Sequence, residues 1–283
     1  MTGRLCVITA VNNLPAPRAD LAVEAAALTR RFDSLVAVDA IDLAIVRGSI
    51  FGLLGPNGAG KSTTIKILTT LLEPSAGSAR VAGFDVRREP KQVRRSIGYV
   101  PQLLSADGTL TGYENLMLSA KLYGISRGER AERIDDALGF MGLLNSARAV
   151  VRTYSGGMVR RLELAQAMLH RPAVLFLDEP TIGLDPVARH SVWERLLESR
   201  TRYDMTVLIT THDMEEAGEL CDRLAIMQAG RVAAEGSPDE LKHQVGPNAS
   251  LDEVFAHFGA GTIDEGGRYR DVRSARRTAS RLG

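Results

Sequence analysis

The stretch Gly55-Pro56-Asn57-Gly58-Ala59-Gly60-Lys61-Ser62-Thr63 fits the pattern G-x-x-x-x-G-K-[ST]. In such a loop, glycines let backbone N–H groups close around phosphate oxygens. The N-terminus of a following helix adds the positive end of its dipole. Lys61 can then reach the outer phosphates, and the Ser62 hydroxyl can ligate Mg2+. Alone, the loop implies only a nucleoside triphosphate, with kinases, GTPases and ATPases all open. A second stretch, Val174 to Pro180, is an apolar run ending in Asp178 and Glu179. Adjacent side chains on a strand diverge, so the two carboxylates can take different roles. Asp178 would hold Mg2+, often through water, and Glu179 would polarise an attacking water. The same pair could instead cap the next turn. A third stretch, Tyr154-Ser155-Gly156-Gly157-Met158, opens an amphipathic segment. Ser155 is a good N-cap, and glycines before a helix expose N–H groups to an anion. A capped helix with a flexible entry explains those residues equally well.

These groups need rigid elements behind them. Ile41 to Val46 and Ser49 to Leu54 read as strands, and Ser62 to Leu72 as a helix with Ile65, Leu68 and Leu72 on one stripe. Strand, glycine loop and helix form the front half of a βαβ unit. Arg80 to Pro101 is mixed, with short strands. Tyr113 to Leu144 reads as mostly helical, interrupted by the polar stretch Gly124 to Arg130. Ser155 to His170 is an amphipathic helix carrying Met158, Leu162, Ala165 and Leu169 at helical spacing. Val174 to Leu177 and Val207 to Thr210 are wholly apolar, as buried parallel strands are. Val187 to Ser199 is helical. Leu224 to Ala234 reads as a hairpin turning at Ala229–Gly230. The alternation of strand and helix argues an α/β sheet. After about Gly246 the pattern weakens, and residues 259–283, with six arginines and three acids, read as a flexible basic tail.

Composition narrows the class. The 283 residues are 45% hydrophobic and 24% charged, which excludes disordered, collagenous and disulfide-built chains. The net charge of +1 provides no global field for nucleic acid or membrane. Two cysteines, Cys6 and Cys221, are too few for a disulfide framework or a Cys-rich zinc site, and a reducing compartment is the default expectation. No apolar run reaches the ~20 residues of a membrane helix. Leu5 to Val11 is at the short limit of a leader core and lacks a cleavage site. Residues 1–20 therefore read as an N-terminal extension, with Asn12 to Asp20 as linker. Of the basic residues 30 are Arg and 5 are Lys, which points to a GC-rich bacterial gene.

The ordered set of glycine loop, glutamine, S-G-G, D-E-P, G-L-D-P and isolated histidine resembles the nucleotide-binding subunit of ATP-binding cassette (ABC) transporters. The resemblance covers about Leu21 to Gly236. It implies a P-loop NTPase core of the RecA-like kind, with an antiparallel β subdomain and an α-helical subdomain. Gly55 to Thr63 matches the Walker A loop. Gln102 matches the glutamine loop, which in the family touches Mg2+ and faces the membrane subunit. Ser155, Gly156 and Gly157 match the signature that closes on the γ-phosphate held by an opposite protomer. Asp178 and Glu179 match the Walker B aspartate and the catalytic glutamate. Asp185, in Gly183-Leu184-Asp185-Pro186, matches the loop that crosses the dimer interface. His212 matches the switch histidine, and Phe32 the aromatic that stacks on adenine, although Phe32 could equally be core. Tyr154 and Met158 depart from the common Leu and Gln. That form, with Ser250 to Phe255, resembles the daunorubicin-resistance type of drug and lipid exporters.

The resemblance implies an ATPase with ATP and Mg2+ as cofactors. Glu179, His212 and Lys61 are its catalytic candidates, and Ser62, Gln102 and Asp178 its metal-site candidates. The nucleotide-binding set is Phe32, Gly55, Asn57, Gly58, Ala59, Gly60, Lys61, Ser62, Thr63, Gln102, Ser155, Gly156, Gly157 and Asp185. It also implies a separate membrane permease, a second ATP-binding subunit (identical or paralogous) in a head-to-tail dimer, no specific nucleic acid, and a peripheral place on the cytoplasmic side of the membrane. The expected divisions are 1–20, an ATPase domain at 21–245 with a helical insert at about 103–154, and a C-terminal segment at 246–283. The rival reading is a soluble ABC ATPase of iron–sulfur assembly, DNA repair or translation. Only 117 positions separate Lys61 from Asp178, too few for the long coiled coil of repair ATPases.

Overall fold

A computed structural model describes residues 20–259. The expected N-terminal extension, Cys6 and the basic tail lie outside the described residues, apart from Asp20 and Gly259 at their edges. Two sheets share the fold. In the first, β1 (Leu21–Phe32), β2 (Leu35–Val46), β4 (Ala76–Val81) and β5 (Phe84–Asp85) pair antiparallel in the order β2-β1-β4-β5. In the second, β3 (Ile50–Leu54), β6 (Ile97–Val100), β7 (Val174–Asp178), β8 (Thr206–Thr211), β9 (Arg223–Gln228) and β10 (Arg231–Gly236) run β10-β9-β3-β8-β7-β6. The pairs from β9 to β6 are parallel and the β9–β10 hairpin antiparallel.

The central strands are wholly buried and work by alternation. Ile50 and Leu54 of β3, and Leu175 and Leu177 of β7, enter a core shared with the helices. Phe51, Leu53, Val174 and Phe176 point the other way, into a core shared with the antiparallel sheet and α1 (Lys61–Leu68). The hairpin turns at Ala229–Gly230, as its sequence implies.

Several boundaries differ from the sequence reading. β1 and the first half of β2 went unread because bulges break their alternation. Register shifts fall between Ala25 and Leu28 around Ala27, whose φ is 46°, so Val23, Ala25 and Leu28 are buried at uneven spacing. Helix α1 stops at Leu68 and not at Leu72. Thr69 Oγ1 bonds back to the Ile65 carbonyl, and Thr70 turns left-handed with φ 62°. The helix expected at Val187 to Ser199 is longer: α6 spans Pro186–Tyr203, with Asp204 left-handed at its end. The weak pattern after Gly246 hides an ordered helix. Helix α8 (Pro238–Val245) is followed by α9 (Leu251–Gly259), whose Leu251 and Val254 are buried.

Helix α2 (Pro90–Ser96) leads into β6, and between β6 and β7 lie α3 (Gly112–Leu122), α4 (Arg130–Phe140) and α5 (Gly156–Met168). Thr111 and Glu114 form a reciprocal capping box on α3. The end of α3 meets the core through His170, whose ring stacks on Tyr123 at 3.7 Å and whose Nε2 donates to the Ile97 carbonyl at 2.9 Å. Burial lowers His170 to about 4 from 6.5. The folded state thus binds fewer protons than the unfolded one. The stability this ring supports is complete above pH 6.5 and falls as the pH drops from 6.5 toward 4. Denaturant midpoints measured from pH 7.5 to 5 are expected to fall less steeply in His170→Leu than in wild type.

Candidate functional site

The glycine loop leaves β3 and feeds α1, as the βαβ reading requires. Gly60 caps α1 with φ 104°, and a Cβ there would lie 2.5 Å from the Ala37 carbonyl oxygen. Only glycine suits that backbone, which leaves the first amides of α1 free for an anion. Asn57 to Thr63 line a cleft of about 440 Å³ with Phe32, Leu35, Ala37, Gln102 and Glu179. Phe32 is 40% exposed, with the Arg30 guanidinium 4.5 Å from its ring centroid. It is therefore a cleft residue and not core.

Behind the loop, the charges converge. Lys61 Nζ donates to the Gly55 carbonyl at 2.6 Å and the Pro56 carbonyl at 3.2 Å, and lies 3.6 Å from Glu179 Oε1. Burial is the largest influence on this ammonium and pulls it below the usual lysine range. Glu179 and then Asp178 oppose that shift. Ser62 Oγ donates to Asp178 Oδ1 at 2.9 Å, and Thr210 Oγ1 donates to the same oxygen at 2.7 Å. Glu179 Oε2 accepts from Gln102 Nε2 at 3.4 Å and faces His212 Nδ1 at 3.4 Å. One buried carboxylate thus meets lysine, glutamine and histidine from three separate segments.

Glu179 sits at the end of β7 with φ 49°, a conformation costly for a residue with a side chain. Its amide donates to the Thr210 carbonyl and hydroxyl at 3.1 and 3.0 Å, which holds it there. Backbone held in such regions clusters at functional sites.

Ser155, Gly156, Gly157 and Asp185 do not join the cleft. Ser155 Oγ caps α5 by accepting from the Met158 amide at 3.3 Å. Asp185 Oδ1 caps α6 by accepting from the Ala188 amide at 2.9 Å. The two caps are neighbours: a Cβ on Gly157 would lie 2.8 Å from Ala188 Cβ. Ser155, Gly156 and Asp185 are exposed, as is Val187 at 81%.

The sequence reading missed three groups around the site. Thr210 links Asp178 to Glu179, and nothing in its sequence context distinguishes it from an ordinary strand threonine. Arg160 and Glu163 form a pair on α5, each 2% exposed, with Arg160 Nη1 2.9 Å from Glu163 Oε2. Arg160 donates to the carbonyls of Pro101 and Gln102 at 2.9 and 3.1 Å. Glu163 accepts from the backbone and hydroxyl of Ser105 and from the Ala106 amide. The pair grips the glutamine loop at both ends, and Leu103, 82% exposed, projects between them. A readable signal existed here: two charges on an otherwise apolar helix face, at a spacing of i, i+3.

A family model described as ABC transporter matches residues 38–182. The chain is 45% identical over 227 residues to the daunorubicin/doxorubicin resistance ATP-binding protein DrrA of Streptomyces peucetius, covering 80% of this chain and 68% of that protein. It is 46% identical over 206 residues to the Nod factor export ATP-binding protein I of Cupriavidus metallidurans, covering 73% of this chain and 68% of that one. Its fold matches cbiO1 of Clostridium perfringens, part of the ABC transporter complex cbiONQ, with a TM-score of 0.74 at 28% identity over 84% of this chain and 95% of that chain. A nucleotide cleft built on this sheet order, with relatives so similar over most of its length, has one explanation: the chain belongs to the ABC transporter family, as an ATP-binding subunit and ATPase.

Proposed function

We propose that this subunit hydrolyses ATP to drive export of a drug-like or lipid-like molecule through a separate permease. The observation that carries the chemistry is the meeting of Lys61, Gln102 and His212 on the buried Glu179 carboxylate. The exporter assignment draws on the relatives named for daunorubicin/doxorubicin resistance and Nod factor export. Subunits of this family work with membrane permeases, as in the cbiONQ complex. Among the described residues no helix is long and apolar enough to cross a membrane.

In this reading Phe32 stacks on adenine. Asn57 to Thr63 wrap the phosphates, with Gly55 supplying the carbonyl that steers Lys61. Lys61 neutralises charge developing on the outer phosphates. Glu179 accepts a proton from the attacking water, and His212 orients the terminal phosphate. Ser62 Oγ and Asp178 Oδ1, 2.9 Å apart, are hard oxygen donors suited to Mg2+, which takes few protein ligands alongside water and phosphate. Gln102 adds a third oxygen from the loop. The ion would supply charge neutralisation and phosphate orientation when bound.

Ser155, Gly156 and Asp185 stand exposed outside their own cleft, with Gly157 packed beneath them on Ala188, which supports the use of this surface by a second subunit, identical or paralogous, set head to tail. ATP would then contact two protomers and stabilise the closed pair, and loss of the γ-phosphate would release it. Permease docking falls on the helical insert near Gln102, where Leu103, Leu104, Leu118 and Leu122 are exposed. The subunit would sit peripherally on the cytoplasmic face of the membrane.

The test is a pull-down of tagged Glu179→Gln from gently solubilised membranes, with partners identified by mass spectrometry. A stoichiometric polytopic membrane protein is the expected partner. Recovery only with soluble repair, ribosomal or cluster-assembly proteins would remove the transport reading.

A further inference from the structure

A further buried carboxylate lies behind the cleft. Glu216 is 1% exposed and sits on α7 (Met214–Leu220), four residues after His212. Its Oε1 accepts from Thr181 Oγ1 at 2.6 Å and from Trp193 Nε1 at 2.9 Å. Thr181 is two residues after Glu179, and Trp193 is on α6, which Asp185 opens. Both donors are buried. One oxygen therefore ties three segments: the turn after Glu179, the helix after Asp185 and the helix after His212.

A second tie runs alongside. Asp213, next to His212, caps α7 by accepting from the amides of Glu215 and Glu216, and pairs with Arg189 on α6. On the opposite side, Thr210 holds the Glu179 amide. The left-handed Glu179 is thus held by Thr210 through its own amide and by Glu216 through Thr181, two residues on. Strained backbone persists only where its surroundings over-determine it in this way. Burying an unpaired carboxylate is costly, so this network holds only while its donors stay in place.

We propose that Glu216 is a positioning residue for hydrolysis, holding Glu179 and His212 in mutual register through Thr181 and Trp193. The inference rests on the reading of Glu179 and His212 as hydrolytic groups. It assigns Glu216 no contact with nucleotide, so its loss acts on turnover and not on binding.

The test uses the full chain with Glu216→Leu and Glu216→Gln, measuring kcat, nucleotide Kd and emission from Trp193, the single tryptophan. Glu216→Leu is expected to lower kcat about 10- to 100-fold, as small misplacements of reacting groups do. Nucleotide Kd stays within about twofold, and the emission shifts as the indole loses its acceptor. Glu216→Gln keeps a carbonyl oxygen for both donors and restores kcat and emission toward wild type. Thr181→Val, which cuts only the tie to Glu179, is expected to lower kcat with Kd unchanged even if the leucine variant fails to fold. Wild-type kcat in a folded Glu216→Leu or Thr181→Val, or parallel loss of kcat and affinity without rescue by glutamine, would overturn the proposal. Normal turnover by Glu179→Gln alone would remove the hydrolytic reading beneath it, a result independent of every Glu216 variant.

Discussion

Glu179→Gln is expected to bind ATP and to hydrolyse it at least about 100-fold more slowly than wild type, the usual loss when a general base is removed. The substitution keeps the size of the side chain and an oxygen to accept from Gln102, and replaces the anionic oxygen with a neutral amide nitrogen. That charge lies 3.6 Å from Lys61 Nζ, where it competes with phosphate for the ammonium. Its loss frees Lys61, so nucleotide affinity is expected to stay equal or to tighten. Equilibrium binding and phosphate release on the same preparation separate the two effects. With signature residues exposed outside the cleft, the variant is also expected to accumulate as ATP-bound dimers, visible by size-exclusion chromatography. Turnover within a few-fold of wild type would overturn the role given to Glu179.

Lys61→Ala acts on the opposite side of that contact. The ammonium is 5% exposed and is aimed by two backbone carbonyls along the wall of the cleft. Hydrogen bonds to charged groups contribute about 1.5–3 kcal/mol each, and each 1.4 kcal/mol is tenfold in affinity. Loss of charge-assisted contacts of that strength to the outer phosphates predicts ATP binding weaker by about 100-fold or more, measured by titration calorimetry. Truncation also leaves Glu179 buried without its cation, which costs stability. Lys61→Met, which fills the same volume, therefore serves as a second variant for affinity. Unchanged ATP binding in both would remove the glycine loop from the nucleotide site.

Much of the site was legible because its chemistry is local. Gly55 to Thr63 run from a strand end into the first turn of α1, and the backbone at Gly55 and Gly60 leaves no room for a Cβ, so the loop is readable within nine residues. The apolar run before Asp178 marks a buried strand, and the strand's end places the carboxylates. Ser155 and Asp185 are different: both are N-caps, a role the sequence already marks, and only the fold shows that they lie exposed outside the cleft.

The sequence alone was sufficient for the α/β class, the phosphate loop, the paired carboxylates and the hairpin at Ala229–Gly230. Each follows from periodicity or backbone constraint within a few neighbours. Only the tertiary structure decided which groups share Glu179. Lys61, Gln102, Thr210 and His212 lie 118, 77, 31 and 33 positions from it, and their meeting depends on the strand order β3-β8-β7-β6. The same holds for Arg160 and Glu163 on the glutamine loop, and for Glu216 between Thr181 and Trp193. A buried charge has no periodic signature of its own. Its partners are chosen by packing between distant segments, because a carboxylate or guanidinium in the interior is tolerated only where the fold brings it donors and acceptors.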